Sequence, residues 1–207
     1  MKEIRNCEQA IVTRSGDDNS RHVEGYALVF DSWSKDLGGF TERISRNALD
    51  GVLASSDVLA LLNHQQKRGV LARWRGEKGS MNLEIDDIGL RYEFEAPNTA
   101  LGEELLEGLR RGDISQSSFA FSVGDEEWSK DEYGNYHRTI NRIERLYDVS
   151  PVYNPAYDAT SVNARGLEIL KEQEKRDEEE AEAKKKAQLE AYYDELIAKI
   201  EKYEKPN

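Results

Sequence analysis

Gly112-Asp113-Ile114-Ser115-Gln116-Ser117-Ser118-Phe119-Ala120-Phe121-Ser122-Val123-Gly124 sets the frame for the rest of the chain. Phe119, Phe121 and Val123 alternate with Ser118, Ala120 and Ser122, the period of two that marks a strand with one apolar face. The other face carries only small residues and so leaves open space in front of the strand. A hydroxyl standing there could act on something as large as a peptide. Small faces also arise where another element simply packs close, so a reactive reading of Ser118 needs a base from elsewhere in the chain.

Outward from this strand, the pattern is mixed. Leu101, Leu105 and Leu109 recur at four-residue spacing behind Pro97-Asn98-Thr99, with Glu103, Glu104 and Glu107 early and Arg110 and Arg111 late. Acid first and base last suits a helix dipole. Asn98 or Thr99 can cap the start, and Gly112 can end the helix. On the other side, Trp128 to Tyr136 reads as a polar excursion. Thr139 to Tyr153 reads as a long strand containing Asp148, stopped by Pro151 and Pro155 because proline cannot donate to a ladder.

Nearer the N-terminus, Met81–Ile85 and Leu90–Phe94 alternate around Asp86-Asp87-Ile88-Gly89 and predict a hairpin, with the paired aspartates serving the turn. Glu77-Lys78-Gly79 reads as another turn. Asp57 to Leu62 is an apolar strand that delivers Asn63 and His64 at its end, and Val70 to Trp74 is a further strand. Ser45 can cap a short helix, with Ala48, Leu49, Val52 and Leu53 at helical spacing. Ala10–Arg14 and Val23–Phe30 read as strands around the turn formers of Ser15–Arg21. The near-continuous apolar run Gly25 to Phe30 predicts burial on both faces. Asp31 to Gly39 is a polar loop.

Composition changes near Arg165-Gly166. Beyond it there is no glycine, and no proline until Pro206; Glu, Lys and Ala dominate. Leu167, Leu170, Leu189, Tyr192, Tyr193, Leu196, Ile197, Ile200 and Tyr203 give a helical stripe. The expectation is a main domain over residues 1–165 and a charged helical extension over 166–207, one or two helices able to pair with a partner helix. The fold class read from these elements is α+β, mainly β.

Charge and cysteine content narrow the function classes. The net charge of -12 leaves no basic stripe for phosphate, which argues against a nucleic-acid partner. Cys7 is the only cysteine, too few for a disulfide or a cysteine-cluster zinc site, and a reducing compartment fits. His22, His64 and His137 lack the close spacing of a histidine metal motif, so no cofactor is expected. The first residues hold no apolar run of a secretory signal, and no stretch is long enough to span a bilayer.

Ser118 requires a base that works near neutral pH, and imidazole is the usual one. His64, at the end of an apolar strand, is the candidate. A third group must fix the imidazole tautomer and stabilise its charged form. Asp148, flanked by Tyr147 and Val149, is a carboxylate in an apolar context, where an unpaired charge is costly.

Taken together, Gly25 to Phe30, Leu62-Asn63-His64, Arg111 to Phe121, Asp148-Val149-Ser150-Pro151-Val152 and Asn154-Pro155-Ala156-Tyr157 resemble the prohead proteases of tailed bacteriophages, in the same order over roughly residues 8 to 165. That family is similar in fold to herpesvirus assemblins. The resemblance implies a closed or nearly closed β-barrel of about seven strands ringed by a few helices. It implies a serine endopeptidase with Ser118 as nucleophile, His64 as base and Asp148 as third member. The family pattern more often has Glu where Asp148 stands, and His137 is the rival third member because assemblins use a second histidine. Ser117 is the rival nucleophile, though period two turns it towards the core with Phe119; Ser115 lies further off.

The resemblance also implies a place and partners: the inside of an assembling procapsid in a bacterial host, the major capsid protein with its scaffolding segment, and self-cleavage. The extension could serve self-association. The competing readings are a catalytically silent capsid assembly or scaffold protein and a β-barrel binding module whose serine strand is merely close-packed.

Overall fold

The computed structural model describes residues 1–13, 20–76, 78–153 and 161–203. Glu77, most of Ser15–Arg21 and the Asn154-Pro155-Ala156-Tyr157 segment lie outside the described residues. In chain order the elements are β1 (Lys2–Ala10), β2 (Val12–Thr13), β3 (His22–Val29), β4 (Phe40–Ile44), α1 (Val52–Ser55), β5 (Val58–Ala60), β6 (Ala72–Arg75), β7 (Lys78–Gly79), β8 (Met81–Ile85), β9 (Gly89–Glu95), α2 (Ala100–Arg111), β10 (Gln116–Lys130), β11 (Tyr136–Val152) and α3 (Ser161–Tyr203). The chain divides into two compact units, Met1–Val162 and Asn163–Asn207.

The fold is mainly β with a few helices and a C-terminal helix. The first unit holds two sheets. A seven-stranded sheet runs β1-β10-β11-β5-β6-β7, with β4 also on β11; a four-stranded sheet runs β2-β3-β9-β8. β10 is antiparallel to both β1 and β11, whereas β4 and β5 pair parallel to different stretches of β11. The expected barrel closure is not seen. β1 and β7 end the large sheet without meeting, and among the described residues no ladder joins the two sheets. β1 does lie beside β3 and β6 beside β8. The β10–β11 register shifts repeatedly between Ala120 and Glu126, the kind of irregularity that bends and twists a strand pair.

The apolar core fills the space that the alternating strands enclose. Phe119 and Phe121 of β10, Ile143, Leu146 and Val149 of β11, and Tyr92 and Phe94 of β9 are all buried. The β8–β9 hairpin forms as expected, and the Asp86 carboxylate accepts from the N–H groups of Ile88 and Gly89. α2 follows its sequence signals closely. The Thr99 side chain accepts from the Gly102 N–H, and Gly112 ends the helix at φ 77°, the left-handed backbone that glycine adopts without penalty.

Other expectations are corrected. β3 alternates buried and half-buried residues instead of being covered on both faces; Tyr26 turns outward and donates to Asp86. Ser45 caps no helix, because its hydroxyl donates to the Ile140 carbonyl, and α1 begins only after Gly51. Trp128 to Lys130 continues β10 instead of belonging to a loop.

Two strands carry little of the expected signal. β4 is Phe-Thr-Glu-Arg-Ile, and the inward side of β1 includes Glu3 and Arg5. These charges are satisfied by one another. Arg5 grips both Glu42 oxygens at 2.6 and 2.8 Å and reaches Glu3 at 2.6 Å. Arg138 of β11 bonds Glu3 and Glu42 at 2.8 Å and Glu126 at 2.8 Å. The four residues Glu3, Arg5, Glu42 and Arg138 are all buried. Burial works against the Arg138 charge, but the carboxylates around it, Glu3 first, hold its pKa above the usual value. The cluster ties β1 to β4, β10 and β11.

The second unit is helical. α3 runs unbroken over 43 residues. Lys184–Glu180 and Lys199–Glu195, both at 2.6 Å, form i,i+4 pairs on its surface. Leu189, Tyr192, Tyr193, Leu196 and Ile197 are exposed.

Candidate active site

Three separate stretches of the first unit converge on one face of the large sheet. β10 supplies Ser118. Its register places Ser118 opposite Asn6 of β1 and Ser150 of β11, and Ala120 opposite Ile4 and Asp148. Alternation then sets Ser118, Asp148 and Ser150 on the same face. Ala120 offers only a methyl group there, so the carboxylate beside it has room.

His64 arrives from the end of β5. After β5 the chain still tracks β11, with Leu61 N–H donating to the Val149 carbonyl and Asn63 N–H to the Pro151 carbonyl. Asn63 and His64 then take φ of 54° and 58°, two consecutive left-handed residues that are not glycine. Such backbone is unfavourable for side-chain-bearing residues and persists only where its surroundings hold it. Here it turns the imidazole over the sheet.

The resulting contacts form a chain. His64 Nδ1 lies 2.5 Å from Asp148 Oδ1, and His64 Nε2 lies 2.6 Å from Ser118 Oγ. An ionised carboxylate at Nδ1 keeps the hydrogen on that nitrogen and leaves Nε2 as an acceptor for the serine proton. Burial pushes the Asp148 carboxyl pKa up, but the hydrogen bond and charge of His64, with help from Lys2 and Ser150, outweigh it and hold the group below the ordinary aspartate value. Asp148 is therefore a carboxylate at neutral pH. The arrangement can move a proton from a hydroxyl to an imidazole braced by an anion, which is the chemistry of an activated serine nucleophile.

Ser118, His64 and Asp148 are thus brought together. The rivals are elsewhere. Ser117 faces the core and its Oγ lies 2.8 Å from the buried Tyr92 hydroxyl. His137 sits near the far end of β11, beside Thr41 at 2.8 Å and Asp131 at 3.4 Å. Ser115 precedes β10 and uses its carbonyl to accept from Ile11 N–H.

The small-residue face is not the open floor that the sequence suggests. Ser118, Ala120 and Ser122 are all buried, while the His64 side chain keeps 16% of its surface exposed. Ser118 Oγ also lies 2.9 Å from the Arg5 carbonyl of β1. Three neighbours escaped sequence reasoning. Ser150 Oγ is 2.8 Å from Asp148 Oδ1 and 3.2 Å from His64 Nδ1, and Lys2 Nζ is 3.0 Å from Asp148 Oδ2. Ser150 carries a usable signal, because it stands two residues after Asp148 on the same strand face. Lys2 and the Arg5 carbonyl carry none, since β1 has no apolar alternation.

Ligand atoms of His22, Glu24 and Glu93 lie within 4.8 Å of one another on the other sheet. Arg91 already occupies both carboxylates, at 2.5 Å from Glu24 and 3.0 Å from Glu93, so their charge is answered by a guanidinium. Among the described residues no helix is long and apolar enough to cross a membrane.

The chain was compared with known families and structures. A family profile described as caudovirus prohead serine protease matches residues 9–175. Among solved structures, the bacteriophage T4 capsid assembly protease is similar at a TM-score of 0.45 and 13% identity, over 74% of this chain and 98% of that one. No curated protein matches the chain.

Proposed function

Because the chain belongs to the caudovirus prohead serine protease family, we propose that it is a serine endopeptidase that cleaves the scaffolding segment of a capsid protein, and itself, during procapsid maturation. The observation that carries this reading is the unbroken contact chain Asp148–His64–Ser118. Ser118 Oγ attacks the scissile carbonyl carbon while its proton passes to His64 Nε2. The His64 Nδ1–H stays bonded to Asp148, which stabilises the imidazolium. Collapse of the tetrahedral intermediate breaks the C–N bond, and Nε2 returns the proton to the departing amine. Water then adds to the acyl carbon while giving a proton to Nε2; the acyl–Oγ bond breaks, the acid product leaves, and Nε2 returns the proton to Ser118 Oγ.

Partners and place follow from that reading. The substrate is a capsid protein, the site of action is the assembling procapsid in the host cytoplasm, and residues 166–207 act as an extension outside the protease domain, available for self-association. A second reading, a catalytically silent assembly protein with a protease-like fold, is favoured by one observation: Ser118 is fully buried.

The test is mass spectrometry of the purified chain, incubated alone and with capsid protein bearing its scaffolding segment, beside a Ser118→Ala variant. Cleavage by wild type and none by Ser118→Ala is expected, with circular dichroism unchanged. Asp148→Asn is expected to lower kcat by roughly 10⁴-fold, because the amide favours the wrong imidazole tautomer, whereas His137→Ala leaves it near wild type. Cleavage by Ser118→Ala removes the assignment. A wild-type chain that neither cleaves nor takes up a serine-directed covalent probe establishes the silent reading.

A further inference from the structure

Asp148 has two carboxylate oxygens, and the relay uses only one of them. Oδ1 faces His64 Nδ1 at 2.5 Å, and the buried Ser150 hydroxyl donates to the same oxygen at 2.8 Å. Oδ2 faces Lys2 Nζ at 3.0 Å. A carboxylate held through a single oxygen still turns about its Cβ–Cγ bond, where the torsional well is broad. Holding both oxygens from different strands removes that freedom. Ser150 does so from β11, two residues beyond Asp148, and Lys2 does so from β1, two strands away across β10.

The Lys2 side chain is 47% exposed, yet it is not loose. Its ammonium lies 5.4 Å from the Tyr147 ring centroid, and Arg145 lies 5.0 Å from the same ring. The ammonium therefore has two neighbours, the Tyr147 ring and the Asp148 carboxylate. The groups facing Asp148 are then His64 from the segment after β5, Ser150 from β11 and Lys2 from β1.

We propose that Lys2 and Ser150 are positioning residues that clamp the two oxygens of Asp148 and so fix the plane in which the carboxylate holds His64 against Ser118. The proposal rests on the protease reading above. Ser150 Oγ lies 3.2 Å from His64 Nδ1, on the side of the ring away from Ser118, and Lys2 reaches the ring only through the carboxylate. Lys2 also has an electrostatic part: its positive charge offsets the pull of Asp148 on the imidazolium, so losing it lets His64 keep its proton to higher pH.

The experiment is peptide cleavage as a function of pH, with wild type, Ser118→Ala, Lys2→Met, Lys2→Arg, Ser150→Ala and Ser150→Thr in the full chain. Lys2→Met and Ser150→Ala are expected to lower kcat roughly ten- to hundredfold, the scale of a small misplacement of a catalytic group, with KM unchanged. In Lys2→Met the acidic limb of kcat/KM moves to higher pH. Lys2→Arg and Ser150→Thr restore most of the rate. Rates and limbs matching wild type in Lys2→Met and Ser150→Ala overturn the proposal. So does a loss that the conservative variants do not restore, or a loss of rate in Lys2→Met without movement of the limb, because a merely structural role gives that result.

NMR titration of His64 separates this failure from failure of the protease reading, since it needs no turnover. If wild type cleaves nothing, the functional reading falls, but the clamp still predicts a higher His64 midpoint in Lys2→Met, and an unchanged midpoint overturns it.

Discussion

Asn63 and His64 carry the strain of the site. Both hold left-handed backbone, at φ 54° and 58°, and the carbonyl of Pro151 fixes the Asn63 amide that begins the turn. Asparagine tolerates this region better than most residues because its short polar side chain can bond locally, and a β-branched side chain tolerates it least. Asn63→Val is therefore expected to cost about 1–2 kcal/mol of stability and to swing His64 away from Ser118. Asn63→Gly keeps both stability and rate. Urea unfolding beside peptide cleavage measures the two together, and a valine variant with wild-type rate would show that the side-chain bonds of His64, not the turn before it, hold the imidazole in place.

Ser118 poses a second residue-scale question. Its hydroxyl has one hydrogen and two acceptors in reach, His64 Nε2 at 2.6 Å and the Arg5 carbonyl at 2.9 Å. Only the first leads to a nucleophile. When the imidazole is doubly protonated, Nε2 donates instead and the serine hydrogen turns to Arg5.

At the scale of elements, β1 is the unusual piece. An ordinary inward face would be apolar, but this one carries Glu3 and Arg5, closed into a buried cluster with Glu42 and Arg138. Such a cluster is not a simple source of stability, since desolvation offsets much of the attraction. Breaking it from one side is another matter. Arg138→Met leaves Glu3 and Glu42 with half of their partners, and is expected to cost about 3–5 kcal/mol by urea unfolding at pH 7.

The pH dependence of that loss has a definite sign. Burial pushes the Glu3 carboxyl pKa up, but Arg138 and Arg5 together hold it below its ordinary value of 4.5. The stabilisation is therefore complete above about pH 4.5 and disappears as pH falls through the lowered folded value. Arg138→Met starts from lower stability and loses less of it on acidification. A variant curve running parallel to wild type from pH 7 to pH 3 would show that the cluster does not set the acid limit.

β1 also marks where the sequence stopped being readable. α2 was legible because its stripe, cap and terminal glycine all agree, and β10 because Phe119 and Phe121 alternate with small residues. The hairpin β8–β9 was legible from its turn. β1 and β4 were not, because a buried face made of paired charges has no hydrophobic period, and pairing between distant residues is invisible in a single chain. The same reason divides the site. His64, Ser118 and Asp148 stand out as polar groups in apolar strands, whereas Lys2 and the Arg5 carbonyl matter only through a strand that no local pattern announces. Barrel closure rested on resemblance alone, and neither edge of the large sheet carries a pattern that could have decided it.

At the scale of the whole molecule, the chain joins a two-sheet unit to a helix of different composition. The family profile ends at residue 175, well inside α3. Beyond it Leu189, Tyr192, Tyr193, Leu196 and Ile197 put apolar side chains in water at helical spacing. Ion pairs such as Lys184–Glu180 and Lys199–Glu195 support the helix without a partner. None of the residues in the Asp148–His64–Ser118 chain comes from this segment. Removing residues 176–207 is accordingly expected to leave kcat/KM for a short peptide within about twofold of wild type, which lies inside the usual range of a neutral surface change. The same deletion should lower incorporation into procapsids assembled with capsid protein, read by co-sedimentation, and should reduce any self-association seen by light scattering. A truncated chain that unfolds at a much lower temperature, or loses cleavage of the short peptide, would place the helix within the fold of the protease instead. A truncated chain that enters procapsids as well as the intact one would leave the exposed stripe of α3 without a role in assembly.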